Sequence, residues 1–496
     1  ITTNSVFAYQ LSIICNMLFV IGSFFVAYLC VKKLFPCMNK MILMMVCFVV
    51  TCYSSNLYYA HASIGECLLV FVYWLILWQM ILFYERGDFK NGILSCMLSA
   101  FSYTIHMRSL GLVVAVIISC FIFFIRKRVD LKNIILFCVC TIFLIGVAVF
   151  IKNIYQGLWY TETGYADVND YLGQVDKIKM IFSFDGLVNL LYSMCGKIFY
   201  LGASTFLLIY VGLVFCIKKG WNLILTIVKK EKYDNQYSEI YIFILLVFLF
   251  NFIITCIFTI GKSPRIDHLI YGRYNETVIA PCLTIAVISL ISKRHQIRGI
   301  FEIMGIQIAL SAIVALRWRS IGVSSAAGNA SSIGIADLFT GLDFLNSYAF
   351  IATGRAIVIF VILYVCSLIV KRRLFPVGLL VLGSTWIYIA VQGYKSDDIS
   401  RSENQTYIIT DAIDKNTEIY YLMDETRDLK YTIWIDCVQF AKPDKTIHVL
   451  YDIQELDKIK DEDYLIVNNV ESRGNLEESF FYIAENNKLR LLQKAK

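Results

Sequence analysis

Twelve apolar runs, most of them about 20 residues long, fill the first 393 positions and leave little choice of fold. They lie at roughly 9–31, 41–60, 66–84, 93–106, 109–125, 133–151, 199–217, 239–261, 277–292, 299–316, 355–370 and 374–393. Hydrocarbon offers no partner to a backbone N–H or C=O, so runs of this kind are read as helices, whose hydrogen bonds are internal. The pair 93–106 and 109–125 also fits one kinked helix. The expected fold is therefore an α-helical polytopic membrane protein of about 12 segments over residues 1–393. A soluble domain follows at 394–496.

Charge placement supports this division. The chain is 58% hydrophobic and 17% charged, where a soluble domain carries about a quarter charged residues. Residues 1–393 hold 31 Lys and Arg against 17 Asp and Glu, and residues 394–496 hold 14 against 21. The positive excess sits in connections between apolar runs, which removes it as a sign of nucleic-acid binding. Lys32–Lys33 to Lys40, Arg86 to Lys90, Arg126–Lys127–Arg128 to Lys132, Lys218–Lys219 to Lys229–Lys230, Lys293–Arg294 to Arg298 and Lys371–Arg372–Arg373 recur at every second connection. The positive-inside rule assigns these to the cytoplasm. The connections 61–65, 106–108, 152–198, 262–276 and 317–354 then face outward, as does the tail, in a multi-pass plasma-membrane protein.

Most of the 16 cysteines lie inside apolar runs, where they act as small hydrophobes. Neither a CxxC pair nor a Cys/His zinc spacing occurs. The tail reads as a small α/β layer: a helix at Tyr407–Asp414, strands at Glu418–Leu422, Thr446–Leu450, Asp463–Val467 and Phe480–Ala484, and a helix at Asp428–Phe440. The long outward connections at 152–198, rich in Tyr and Asp, and at 317–354, with a Ser/Ala/Gly stretch over Ser324–Ser332, have the length typical of functional loops.

Ionisable groups beside hydrocarbon are costly and tend to mark function. Here they gather at the outward ends of the runs. Tyr58-Tyr59-Ala60-His61 leads to Glu66, which opens an otherwise uncharged helix. Glu66 suits either the positive end of a helix dipole or a carboxylate facing a polar cavity. His106-Met107-Arg108 places an arginine where few cations are expected, as a snorkelling side chain or as a fork for phosphate or carboxylate. Pro264-Arg265-Ile266-Asp267-His268-Leu269-Ile270-Tyr271-Gly272-Arg273-Tyr274-Asn275-Glu276 packs cations, acids, a histidine and tyrosines directly before a membrane run. That set offers cations to a phosphate, and carboxylates and ring faces to a sugar.

The order of these elements resembles the GT-C class of membrane glycosyltransferases. The features that carry the likeness are Tyr59 to Glu66 opening a helix, Gly92 to Arg108 ending one in an arginine, and Tyr271-Gly272-Arg273-Tyr274 with Glu276 before a later helix. The resemblance covers most of the chain. It implies an inverting transferase that takes a sugar from a polyprenyl-phosphate donor to a glycan, lipid or protein acceptor at the outer face. It implies catalytic roles for Glu66, Asp267 and Glu276, and substrate contacts from His61, Arg108, His268, Tyr271, Arg273 and Tyr274. A divalent cation, Mg or Mn, is the cofactor it allows. Members of the class carry their main catalytic acid in the first outer loop. Residues 1–31 resemble the helix after that loop, and the chain begins at Ile1, so the expectation is a fragment whose preceding helix and loop lie upstream. Two rival classes are a transporter or flippase of lipid-linked sugars and a non-catalytic membrane assembly protein. The first would place polar groups at the bilayer midplane.

Overall fold

The computed structural model describes residues 4–159, 178–229, 237–260, 266–292, 297–321, 331–338, 345–368, 374–404, 406–414, 417–422, 435, 437–442, 444–450, 452–468, 479–487 and 489–495. They form two compact units, Cys15–Tyr394 and Lys395–Lys496 with Ile1–Ile14.

The larger unit is helical. In chain order its helices are α1 (Ser5–Leu34), α2 (Lys40–Thr51), α3 (Ser54–Ala60), α4 (Glu66–Arg86), α5 (Phe89–Ile105), α6 (Leu110–Ile125), α7 (Leu131–Trp159), α8 (Phe184–Ser204), α9 (Leu208–Lys229), α10 (Ser238–Phe258), α11 (Ile266–Leu269), α12 (Arg273–Glu276), α13 (Ala280–Ser292), α14 (Ile297–Ile321), α15 (Leu345–Leu368) and α16 (Phe375–Asn404). Among the described residues, nine helices are long and apolar enough to cross a membrane, or ten when the bent pair α2–α3 counts as one.

Each of the twelve expected runs has a helix, and the differences in count have physical reasons. The α5 helix has 17 residues and stops at His106, whose extended backbone (φ −156°) separates it from α6, so 93–125 is two helices. The α13 helix has 13 residues, roughly 20 Å at 1.5 Å per residue. It is too short to span alone, and almost all of it is buried, so protein rather than lipid surrounds it. The run 199–217 is broken at Thr205–Leu207, where Phe206 and Leu207 adopt left-handed φ of 51° and 61°. Left-handed backbone costs a side-chain-bearing residue roughly 1–2 kcal/mol. The turn is held by Leu207 N–H donating to Gly202 O at 2.8 Å, by the Trp386 indole N–H on Ser204 O at 3.1 Å, and by the Phe206 ring stacked on Trp386.

Periphery and core follow from the same helices. The α7 helix exposes Ile142, Phe143 and Phe150, as a lipid-facing helix must, whereas α4 and α13 are lined by buried Ile76, Leu77, Met80, Leu283, Ala286 and Ile288. Polar contacts collect at the two ends of α4, which are about 30 Å apart over 21 residues. At the Arg86 end, Arg126 Nε meets buried Glu239 at 3.3 Å, the Arg128 guanidinium lies 4.1 Å over Tyr84, Tyr237 donates to Glu85, and Lys33 pairs with Glu85. The basic connections 293–296 and 369–373 lie outside the described residues, as do 160–177 of the 152–198 loop and most of Ser324–Ser332. Much of the rest of that expected loop is instead helical, since α7 runs on to Trp159 and α8 begins at Phe184, and the expected basic connection from Lys218 to Lys229 lies within α9.

The smaller unit holds a five-stranded sheet of β1 (Ile419–Leu422), β2 (Ile447–Leu450), β3 (Tyr464–Asn468), β4 (Phe480–Glu485) and β5 (Leu489–Lys494), in the order β2-β1-β3-β5-β4. The first three strands are parallel, and β5 runs antiparallel to both β3 and β4. Alternation puts Ile419, Tyr421, Tyr464 and Ile466 in one apolar layer and Leu422, Leu465 and Val467 in the other. Both faces are thus covered, as parallel sheets require. A helix at Thr406–Asp411 adds Ile409 to the first layer. The four expected strands are present, and β5 is an addition. The expected helix at Asp428–Phe440 lies largely outside the described residues, though 437–441 are helical.

Candidate functional site

At the other end of α4 three segments far apart in sequence meet on one carboxylate. Glu66 opens α4, Arg108 lies in the 3-10 turn Met107–Ser109, and Arg273 opens α12. Glu66 Oε1 accepts from Arg108 Nη2 at 2.9 Å and from Arg273 Nε at 2.6 Å. The Glu66 and Arg108 side chains are only 3% and 5% exposed, against 26% for Arg273. A carboxylate this dry must be paired, and charge-assisted bonds to guanidinium are the strong way to do it.

Arg108 has more donors than this pairing uses. Its Nε and Nη1 are buried and have no hydrogen-bond partner. Its guanidinium lies 4.1 Å over the Tyr274 ring, a cation–π contact that fixes its plane. Tyr274 in turn packs on Tyr271 at 4.7 Å, Phe258 at 5.4 Å and His106 at 5.6 Å. The His106 Nδ1 accepts from the Arg108 backbone N–H at 3.2 Å. Burial, and after it the Arg108 charge, pushes His106 down to about 3, so the ring is neutral and cannot add to the local positive charge.

Beside this trio stands a second carboxylate. Glu276 is 2% exposed and accepts from three tyrosine hydroxyls: Tyr53 at 3.0 Å and Tyr200 on Oε1, and Tyr59 at 3.2 Å on Oε2. Tyr53 sits at the α2–α3 bend of 60°, which delivers its hydroxyl to Glu276 and Ser204. Tyr200 also accepts from Gly334 N–H at 2.9 Å, in the 3-10 segment Ile333–Leu338. Burial pushes the Glu276 carboxyl up to about 7; the three hydroxyls lower it and the Glu66 charge raises it further. Tyr59 links the two carboxylates, with its hydroxyl on Glu276 and its ring centre 6.0 Å from the Arg273 guanidinium. Close packing fixes this arrangement: a Cβ on Gly272 would lie 1.8 Å from the Tyr200 ring, so only glycine fits there.

Supporting groups hold the segments. Asn16 donates to Ala62 O at 2.6 Å and steadies the turn before Glu66. Lys197, fully buried, donates to Ser193 Oγ at 2.7 Å, Thr259 Oγ1 at 2.8 Å and His268 O at 3.3 Å. It thereby ties α8 to the ends of α10 and α11. The expected residues Glu66, Arg108, Arg273, Tyr271 and Tyr274 come together. Glu276 adjoins them through Tyr59, and the His268 ring lies 6.4 Å from Tyr271. His61 stands exposed at the end of α3, with its ring edge-on to Tyr394 at 5.4 Å. Asp267 belongs to α11, but its side chain lies outside the described ones. Tyr53, Tyr200 and Lys197 are additions. Of these, only Lys197 carries a signal in sequence, as a lone cation in an apolar stretch.

Among the described residues no group of three His, Cys, Asp or Glu side chains gathers in a way that could hold a metal. Glu66 is a poor cation ligand, since two guanidinium groups already claim one of its oxygens. Both Glu276 oxygens accept from tyrosines.

No family model and no curated protein matches the chain. Among solved structures it is similar to ArnT from Cupriavidus metallidurans bound to undecaprenyl phosphate, at 10% identity and a TM-score of 0.46, over 99% of this chain and 86% of that one. It is likewise similar to the apo state of the same protein, at 12% identity and a TM-score of 0.48 over the same shares.

Proposed function

We propose that the chain is a membrane glycosyltransferase of inverting type that takes its sugar from a polyprenyl-phosphate donor. The observation that carries this reading is the pair Arg108–Arg273 on Glu66, with two buried Arg108 N–H groups still unpartnered. The trio bears a net charge of +1 and spare donors, the complement of a phosphate. In the reaction an acceptor hydroxyl oxygen attacks the anomeric carbon. The carbon–oxygen bond to phosphate breaks, the electron pair leaves with the phosphate, and the hydroxyl proton passes to a base. Arg108 and Arg273 would hold the departing phosphate as its charge grows. Glu66 would keep both forks aimed, and Tyr271, Tyr274 and His268 would border the sugar.

The bend between α2 and α3 favours a transporter, since broken helices mark such sites. It delivers Tyr53 to Glu276 at an end of the bundle, however, and surface chemistry needs its polar groups there. The test is transfer by the protein in proteoliposomes, given a radiolabelled polyprenyl-phosphate sugar and cell-envelope glycan as acceptor. Label on the glycan is the expected result. Label that crosses the bilayer without transfer would make the protein a flippase, and neither outcome would make it an assembly protein.

This reading also requires the Glu66 end to face outward. A cysteine placed at Lys127 should be shielded from an impermeant thiol reagent in intact cells, and one at Asn404 should react, in a background without native thiols. The reverse labelling would put the site on the wrong side for an outer-leaflet donor.

A further inference from the structure

We propose that Glu276 takes up a proton when the Arg108–Arg273 pair takes a phosphate, so that anion binding and proton binding are coupled at this site. The inference rests on the reading of that pair as a phosphate site and goes beyond it. The fold encloses four charged groups together. Arg108 and Arg273 contribute two positive charges, and Glu66 and Glu276 contribute two negative ones when both are ionised. The empty site is then neutral. A phosphate dianion added to it leaves an uncompensated buried negative charge, which a dry environment resists.

Only one of the two acids is placed to relieve this. Glu66 shares an oxygen between two guanidinium groups at 2.9 and 2.6 Å, which hold it ionised. Among the described residues, no cation is in contact with Glu276. The hydrogen bonds on its carboxylate come from neutral hydroxyls, Tyr53 and Tyr59 from the α3 segment and Tyr200 from α8. The charged group that faces it is Glu66 from α4, and Arg273 from its own helix lies beyond the Tyr59 ring. Tyrosine hydroxyls can also turn to accept, so a protonated carboxyl keeps its partners. One tyrosine ring, that of Tyr59, separates this carboxyl from Arg273. An anion on the guanidinium groups therefore raises the proton affinity of Glu276 directly. The carboxyl is already poised near neutrality by burial, so the added charge acts in the physiological range.

Thermodynamic reciprocity makes the coupling measurable without turnover. The experiment is titration calorimetry of the whole chain in lipid nanodiscs with a polyprenyl phosphate, at about pH 8, in buffers of different ionisation enthalpy. At that pH the ligand is already a dianion, because its second pKa is about 6. The expected result is uptake of up to about one proton per anion bound, and a Kd that weakens by up to about tenfold per pH unit above neutrality. Glu276→Gln should bind with no uptake and with a Kd that no longer changes with pH. Tyr200→Phe removes one donor to the ionised form, so it should retain the pH slope but shift its onset to higher pH. This second variant keeps the test alive if Glu276→Gln does not fold. Binding without proton uptake by the unaltered protein would overturn the coupling and leave the phosphate site standing, as would uptake retained in Glu276→Gln. Failure to bind polyprenyl phosphate at all would overturn the phosphate site, and the coupling with it.

Discussion

Arg273→Lys is expected to slow sugar transfer by tens- to hundreds-fold, although it conserves the charge. Arg273 uses Nε to meet Glu66 at 2.6 Å, and its side chain is partly exposed, so the rest of the fork is presented to a ligand. A guanidinium can bond a carboxylate through one edge and a phosphate through another, because its five donors lie in one plane. An ammonium is a point charge on a flexible stem. In this position it would either pair with Glu66 or follow the phosphate, and the departing anion would lose a preorganised contact as its charge develops. One such contact in a dry site is worth on the order of 2–4 kcal/mol of transition-state stabilisation. Steady-state kinetics with a polyprenyl-phosphate sugar should show the loss in kcat and kcat/KM together, the mark of an interaction made in the transition state. Arg108→Ala should be at least as damaging, because it also strips the partner from Tyr274. If both variants fold and turn over at the normal rate, the two arginines do not hold the leaving phosphate.

How far this site is legible in sequence depends on what each residue announces alone. Arg108 and Arg273 stand out because a cation at the end of an apolar run expected to face outward needs a reason, and Glu66 because it opens a helix with no other charge before Glu85. Their pairing is not legible, since 42 residues separate Glu66 from Arg108 and 207 separate it from Arg273. Tyr53, Tyr59 and Tyr200 are less visible still. In a membrane protein with 31 tyrosines, a tyrosine near a helix end reads as an interfacial anchor. The α2–α3 bend brings the Tyr53 and Tyr59 hydroxyls to Glu276, and Tyr200 reaches it from α8. The helices themselves follow from the apolar runs. Their ends are less predictable where capping, as at His106, or tertiary shelter, as for α13, decides the length. In the tail, alternation reveals four strands, whereas Leu489–Lys494 carries Arg490 and Gln493 among its leucines and reads as a polar terminus until β3 pairs with it.

Glu66→Ala is expected to be the most destabilising single change at the site. Among the described residues, Glu66 is the only counter-ion of an Arg108 side chain that is 5% exposed and already has two N–H groups unpartnered. Breaking a buried pair by deleting one member typically costs 3–5 kcal/mol, because the other charge stays buried and uncompensated. That is a large fraction of a typical folding free energy of 5–15 kcal/mol. The measurement is the thermal midpoint of the detergent-solubilised protein, and a double-substitution cycle identifies the cause. Glu66→Ala combined with Arg108→Met should recover most of the lost stability, since methionine fills the space without a charge, and Arg108→Met alone should cost less than Glu66→Ala alone. A phosphate should act as Glu66 does. Polyprenyl phosphate should therefore raise the midpoint of Glu66→Ala by more than that of the unaltered protein, because it supplies the missing negative charge as well as the binding energy of the site. If Glu66→Ala melts with the unaltered protein, Arg108 is solvated and the trio is not a dry site. If the variant is unstable but polyprenyl phosphate gives it no extra protection, the arginines are held by Glu66 for the fold alone.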